Sequence, residues 1–235
     1  RTNTNDLEGE IISRQECPFL EENALSHCLN DFLGVIEQSP PAFSSVHIQG
    51  ERAYKKARRG EKLNLPPKQI TIYKLQLLNW DQDTGTIKLR VNCSAGTYIR
   101  ALARDIGEKL GCRAVLAKLC RTEASGFSIN QAISIPEPIQ NETFIKPNLI
   151  NPLDILDTIG RVQLINNEES FWRKGQSITL LKKRFISPSV SQYKATNNSG
   201  DFILVLNNQG ILIGIAKYDQ EHSKIYPKIV FNAEG

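Results

Sequence analysis

Between Asn92 and Asp105 the sequence runs N-C-S-A-G-T-Y-I-R-A-L-A-R-D, and this stretch restricts the fold more tightly than any other. Ile87, Leu89, Val91 and Cys93 alternate with polar residues, which predicts a strand with one buried face. Ser94-Ala95-Gly96 is a small-residue turn. Ile99, Leu102, Ala103 and Ile106 then recur at i, i+3, i+4 and i+7, the apolar stripe of a helix. Tyr98 and Arg100 fall on the first turn of that helix, where backbone N–H groups lack intrahelical partners and the dipole is positive. A cation, a phenol and a cluster of N–H donors can form an anion or phosphate site. An ordinary strand–helix junction with a solvated arginine satisfies the same spacing.

Charge weighs on that choice. The net charge is +4. Residues 51–121 hold 16 Lys or Arg against 6 Asp or Glu, while residues 1–50 hold 2 against 8. The basic segment is the one that contains the junction, and concentrated positive charge is the footprint of a polyanion, most simply nucleic acid. A solvated basic face without a partner is the alternative.

Along the chain, Glu21–Leu33 reads as an amphipathic helix stopped by Gly34, and Val35–Gln38 and Phe43–Ile48 as short strands. Glu51–Arg59 reads as a helix carrying Arg52, Lys55, Lys56, Arg58 and Arg59, five cations in eight positions and candidates for phosphate contact. Lys68–Asn79 and Thr86–Cys93 form a hairpin around Asp81–Gly85. The junction helix ends near Leu110-Gly111, and Cys112–Arg121 is expected to be a strand. Residues 136–152 read as a linker. Beyond Gly160, short strands with Asn- and Gly-rich turns predict a small all-β, barrel-like unit, including Ser191–Ala195 and the turn Asn197–Gly200. The domains are expected to be 1–135, the linker 136–152, and 153–235.

Several classes are set aside. No apolar run reaches the roughly 20 residues of a membrane helix. The five cysteines form no C-x-x-C and read as reduced, buried thiols of a cytoplasmic protein. The three histidines have no ligand-like spacing, so no metal is expected. The chain contains no methionine and opens abruptly on Arg1-Thr2-Asn3-Thr4-Asn5-Asp6, which leads to the expectation that it is a piece of a longer protein.

Four ordered blocks carry a resemblance. Gln38-Ser39-Pro40-Pro41-Ala42-Phe43-Ser44-Ser45 with Gly50–Gly60 resembles the Q-x-P-P-x-[YF]-S-A … G-x-R-x-Y-x-x-A-R-x-G signature of the TruB family of tRNA pseudouridine synthases. Cys93–Arg100, Ala103–Gly107 and Leu110–Cys112 resemble its C-S-x-G-T-Y-I-R … R-D-L-G … L-G-C block. Leu119-Cys120-Arg121-Thr122 with Ser125-Gly126-Phe127 resembles L-R-R-T … G-x-F, and Arg1–Gly9 resembles R-T-D-T-x-D-x-x-G. The likeness runs from residue 1 to about 135. Trp172-Arg173-Lys174-Gly175-Gln176 resembles, more loosely, the family's PUA-like RNA-binding domain.

The resemblance implies an α+β fold: a mixed or antiparallel sheet with flanking helices as the pseudouridine synthase core, plus a small all-β PUA-like C-terminal domain. It implies a monomeric, cytoplasmic isomerase that converts uridine 55 in the T loop of tRNA to pseudouridine, with no cofactor and no metal. In such enzymes the base is flipped into a pocket, and an aspartate of a G-x-L-D-P-x-A-x-G motif pairs with the arginine matching Arg100. Tyr98 matches a tyrosine lying against the base and is a candidate for moving the C5 proton. Leu119 matches a pocket residue, and Arg52, Lys55, Lys56, Arg58 and Arg59 would meet tRNA phosphates. The aspartate motif is not in these 235 residues. It is expected upstream, with Asp6 and Asp105 matching other family positions. Arg100 is accordingly expected to await its carboxylate, and the chain alone to be inactive. His47, Cys120 and Asn3 stand where the family has Lys, Arg and Asp. A tRNA-binding or tRNA-folding module without chemistry is the second reading, and an α+β protein without an RNA partner the third.

Overall fold

The computed structural model describes residues 1–135, 149–157, 159–180, 185–186, 202–219 and 221–234. The expected strand at 191–195, the turn at 197–200 and residues 136–148 of the expected linker lie outside them. By internal packing the chain divides into two compact units, Arg1–Cys120 and Arg121–Gly235. The functional boundaries at 135 and 153 stay expectations.

In the first unit a three-stranded antiparallel sheet has the order β1-β4-β5, with β1 Gly34–Gln38, β4 Lys68–Asp81 and β5 Thr86–Cys93. Helices α1 (Glu22–Asn30) and α3 (Ile99–Lys109) pack on one core with it. Leu25 and Leu29 of α1, Ile70 and Ile72 of β4, and Leu102 and Ile106 of α3 are its buried members. Burying each such side chain contributes about 1.5–3 kcal/mol relative to leaving it in water.

The long strand β4 shows how sequence spacing follows the ladder. Its core residues run Ile70, Ile72, then Leu75, Leu77, then Trp80. The register slips between Ile72 and Lys74 and again between Leu77 and Asn79. Each bulge inserts one residue and turns the following alternation to the other face. β5 has no such slip, and Ile87, Leu89, Val91 and Cys93 alternate throughout.

Three expectations are corrected here. Glu51–Arg59 is not one helix: Glu51–Arg52 (β3) pairs with His47–Ile48 (β2), and only Ala53–Arg58 (α2) is helical. Gln49 at φ 51° and Gly50 at φ 84° turn between the two strands, the positive-φ pair that a tight hairpin turn requires. Cys112–Arg121 forms no strand. Leu116 makes a single parallel bridge to Asp6, and its N–H donates to Asn5 O at 3.0 Å. The buried stripe of α3 is Ala101, Leu102, Ile106 and Gly107, with Ile99 and Ala103 half-buried. The stripe is shifted from the expected one towards Ala101 and Gly107, and Gly107 lies against Ala114, where a Cβ would sit 2.4 Å from the Ala114 Cβ.

The second unit opens on a small hairpin, β6 (Glu123–Ala124) and β7 (Phe127–Ser128), and a short helix α4 (Pro152–Ile155). Its main sheet has the order β10-β8-β11-β12-β13-β9. The strands are β8 Arg161–Gln163, β9 Ile178–Thr179, β10 Phe185–Ile186, β11 Phe202–Leu206, β12 Leu212–Asp219 and β13 Lys224–Val230. Strands β11 and β8 run parallel, and the other neighbours are antiparallel. The expectation of an all-β unit is corrected: strands dominate among the described residues, but the helix α5 (Asn166–Arg173) belongs to the unit as well. That helix places Trp172 in the core, fully buried, with its indole N–H donating to Ile213 O at 3.0 Å. Gly214 leaves room for the ring: a Cβ there would come 2.7 Å from Trp172 Cζ2.

Candidate active site

The junction after β5 is built from local hydrogen bonds. Ser94 N donates to Thr71 O at 2.8 Å and Ser94 Oγ accepts from Thr71 N at 2.9 Å, which extends the β4 ladder past the strand end. Gly96 takes φ 84° in the turn, and Thr97 Oγ1 donates back to Ser94 O at 2.9 Å. Tyr98 is the N-cap of α3, with extended backbone angles and no capping bond from its own side chain. Its cap comes from elsewhere. The Gln38 side chain at the end of β1 accepts from Tyr98 N at 2.8 Å and donates to Tyr98 O at 3.2 Å.

Arg100 sits on the first turn of α3, with its guanidinium clamped on three sides. Nη1 donates to Asp6 Oδ2 at 2.9 Å and to Thr4 O at 3.2 Å, and Nη2 donates to Phe43 O at 2.9 Å. Arg100 thus already holds one carboxylate, that of Asp6, and its pairing with the aspartate of the G-x-L-D-P-x-A-x-G motif stays an expectation. Burial pushes the Asp6 carboxyl up, but hydrogen bonds from Thr4, Arg100 and the Glu8 N–H outweigh it and hold the group below the usual carboxylate range. The loop carrying Asp6 is itself closed by Thr2 Oγ1 donating to Asp6 O at 2.6 Å and by a Thr2–Ile11 bridge. Arg104, one turn along α3, binds Asp105 Oδ1 and Ser39 O. A cavity of about 250 Å³ lies beside these groups, with Arg1, Asn3, Asn5, Ser39, Asn64 and Arg104 among its lining.

The cations around α2 form a separate group. Tyr54 N donates to Ser44 O, the residue after the Phe43 that holds Arg100, so one short segment carries both groups. Arg59 is committed to carboxylates: Nη1 and Nη2 lie 2.6 and 2.7 Å from the two Glu51 oxygens, and Nε lies 2.8 Å from Glu61. These bonds push the Arg59 pKa up and hold the Glu51 carboxyl down. Lys56 reaches Glu61 at 3.8 Å, Arg52 donates to Ser45 O, and Arg58 lies over the Tyr54 ring at 5.5 Å. Lys55 and Arg58 face solvent, and Leu119 is 58% exposed, outside any helix or strand. Thus Tyr98 and Arg100 are brought together on one turn, while Leu119 and the α2 cations are not bonded to them.

Sequence reading missed two members. Asp6 lies 94 residues from Arg100, so no local spacing joins them. Gln38 was only a letter of a motif, and its two bonds to Tyr98 have no signature in one sequence. Ser44 Oγ is buried without a hydrogen-bond partner among the described residues. Among those residues no cluster of three or more His, Cys, Asp or Glu could hold a metal, and no helix is long and apolar enough to cross a membrane.

Comparison with known proteins decides the family. Residues 1–99 match the model for the TruB family pseudouridylate synthase N-terminal domain. A tRNA pseudouridine synthase B of Prochlorococcus marinus is 52% identical over 235 residues, all of this chain and 75% of that protein. The chain belongs to the TruB family of tRNA pseudouridine synthases. A second family member, from Parasynechococcus marenigrum, is 42% identical over 234 residues and is covered over 74% of its length. In structure the chain is similar to one from a Cbf5-Nop10-Gar1 complex, at TM-score 0.58 and 18% identity over 93% of this chain. A chain from an H/ACA RNP bound to a substrate RNA containing 2′-deoxyuridine gives 0.57 at 16% identity. The chain spans 63% and 62% of those two solved chains.

Proposed function

We propose that the protein isomerises uridine 55 in the T loop of tRNA to pseudouridine, and that Tyr98 and Arg100 are this chain's share of the active site. The observation that carries the reading is the clamped guanidinium on the turn that begins at Tyr98, in a chain of this family. The reaction is an isomerisation. The N1–C1′ bond of the flipped nucleotide breaks, a C5–C1′ bond forms, the C5 proton leaves and N1 takes one up, so nothing is gained or lost overall. A preorganised arginine is suited to it because a fixed charge needs no reorganisation as the reaction proceeds. Arg100, held by Asp6 and two carbonyls, orients the family's catalytic aspartate when the G-x-L-D-P-x-A-x-G segment is present. Tyr98 lies against the base and moves the C5 proton. Leu119 lines the pocket, the α2 cations engage phosphates, and the C-terminal unit acts as a PUA-like RNA-binding domain. The enzyme works as a cytoplasmic monomer on the tRNA T arm.

The test uses T-arm RNA labelled with tritium at C5 of the target uridine. The enzyme carrying the aspartate segment should release one tritium per RNA and leave pseudouridine at position 55, and the 235 residues alone should bind the RNA without release. Tight binding with no release by the longer protein would overturn the reading in favour of a non-catalytic tRNA-binding module.

A further inference from the structure

We propose that Gln38 is a positioning residue for the reaction, holding the backbone of Tyr98 and thereby the direction of its ring. The inference rests on the role of Tyr98 given above. Gln38 is 2% exposed, the most deeply buried of the polar side chains in the core of its unit. It spends both ends of its amide on one residue, accepting from Tyr98 N and donating to Tyr98 O. Tyr98 O also accepts the first helical bond, from Leu102 N at 3.0 Å, so both of its lone pairs are engaged. A planar side-chain amide bonded to both the N–H and the C=O of one residue acts as a strand neighbour would. It fixes Tyr98 at φ −95° and ψ 105°, which sets the direction of its Cα–Cβ bond.

The holder is itself rigid. Gln38 is the last residue of β1 and pairs with Lys68 of β4, so its backbone belongs to the sheet. The chain that follows is stapled to α3 twice more, by Arg104 to Ser39 O at 3.0 Å and by Arg100 to Phe43 O at 2.9 Å. Three side chains therefore fix residues 38–43 against the first turns of α3, across sequence separations of 60, 65 and 57 residues. The Gln38 pair is the one that acts on Tyr98. Reacting groups displaced by about 1 Å can lose 100-fold in rate while the binding surface is untouched.

The experiment compares Gln38→Leu, Gln38→Glu and Tyr98→Phe in the full-length enzyme, counting active molecules by T-arm RNA binding. Gln38→Glu keeps the size and the acceptor for Tyr98 N but sets a second oxygen against Tyr98 O, and counting molecules by RNA binding leaves out any that do not fold. The expected result is kcat per RNA-binding molecule reduced roughly 10- to 100-fold in both Gln38 variants, with Kd for the RNA within about 3-fold. If Tyr98→Phe is impaired while kcat of the Gln38 variants is normal, the positioning role fails and the Tyr98 reading survives. A loss of affinity and turnover in equal measure also overturns it, because Gln38 would then support the fold alone. If Tyr98→Phe turns over normally, the Tyr98 reading falls and this inference falls with it.

Discussion

Asp6 Oδ2 lies 2.9 Å from Arg100 Nη1, and the two side chains, 22% and 29% exposed, share a half-buried site with the carbonyls of Thr4 and Phe43. Two nitrogens of one rigid planar fork reach these acceptors, whereas the three donors of an ammonium radiate from a single atom and cannot reproduce that spacing. Arg100→Ala should abolish turnover and leave RNA affinity mostly intact. Arg100→Lys keeps the charge but not the fork, and kcat should still fall on the order of 100-fold. Single-turnover rates at saturating enzyme measure this directly. A lysine variant with near-normal rate would show that charge alone suffices.

The same pair makes stability depend on acid. The folded Asp6 carboxyl titrates below its ordinary value of 3.8. A depressed folded pKa gives stability that is complete above the unfolded pKa and is lost as pH falls from there through the lower folded value. The gap in urea midpoint between the protein and Asp6→Asn should therefore be constant from pH 7 to about 5 and narrow steadily below about 4. A gap of the same size at pH 3 would mean that the aspartate acts through shape rather than charge.

What the sequence made legible follows from range. β5 is readable to the residue because an unbulged strand half-buried on one face leaves a period of two. The β4 core residues change phase twice, and only the ladder shows where. Residues 51–59 looked helical because cations on three sides of Ala53, Tyr54 and Ala57 imitate an amphipathic pattern, yet the positive-φ pair Gln49-Gly50 draws Glu51 and Arg52 into a hairpin. The site shows the same divide. Tyr98 and Arg100 were readable from one block. Asp6 and Gln38 reach that block only through folding, across 94 and 60 residues.

Two glycines near the site separate crowding from backbone strain. A Cβ on Gly107 would stand 2.4 Å from the Ala114 Cβ and 2.6 Å from the Ala114 N, so α3 and the following chain would have to part. Gly107→Ala should destabilise by about 1–3 kcal/mol, despite alanine's better helix propensity. Gly96 has nothing within 4 Å of such an atom, but its φ is 84°. Gly96→Ala should cost about 1 kcal/mol, from conformation alone. Urea unfolding of both variants, read by far-UV circular dichroism, checks the order. A Gly107 variant as stable as the parent would mean that the contact with Ala114 relaxes freely.

The cations around α2 are not equivalent as RNA contacts. A side chain that neutralises a phosphate displaces a counterion, so its loss lowers the slope of log Kd against log salt by about 1. Lys55 and Arg58 face solvent, and Lys55→Ala and Arg58→Ala should each show that change. Arg59 is bonded to both oxygens of Glu51 and to Glu61. Engaging a phosphate would require it to release carboxylates that it already neutralises. Removing Arg59 and Glu51 together keeps the net charge, so Arg59→Ala with Glu51→Gln should leave both the slope and the affinity at fixed salt nearly unchanged. Filter binding of T-arm RNA from about 50 to 200 mM salt resolves these cases. A slope reduced by about 1 in the double variant would show that Arg59 leaves Glu51 for the RNA.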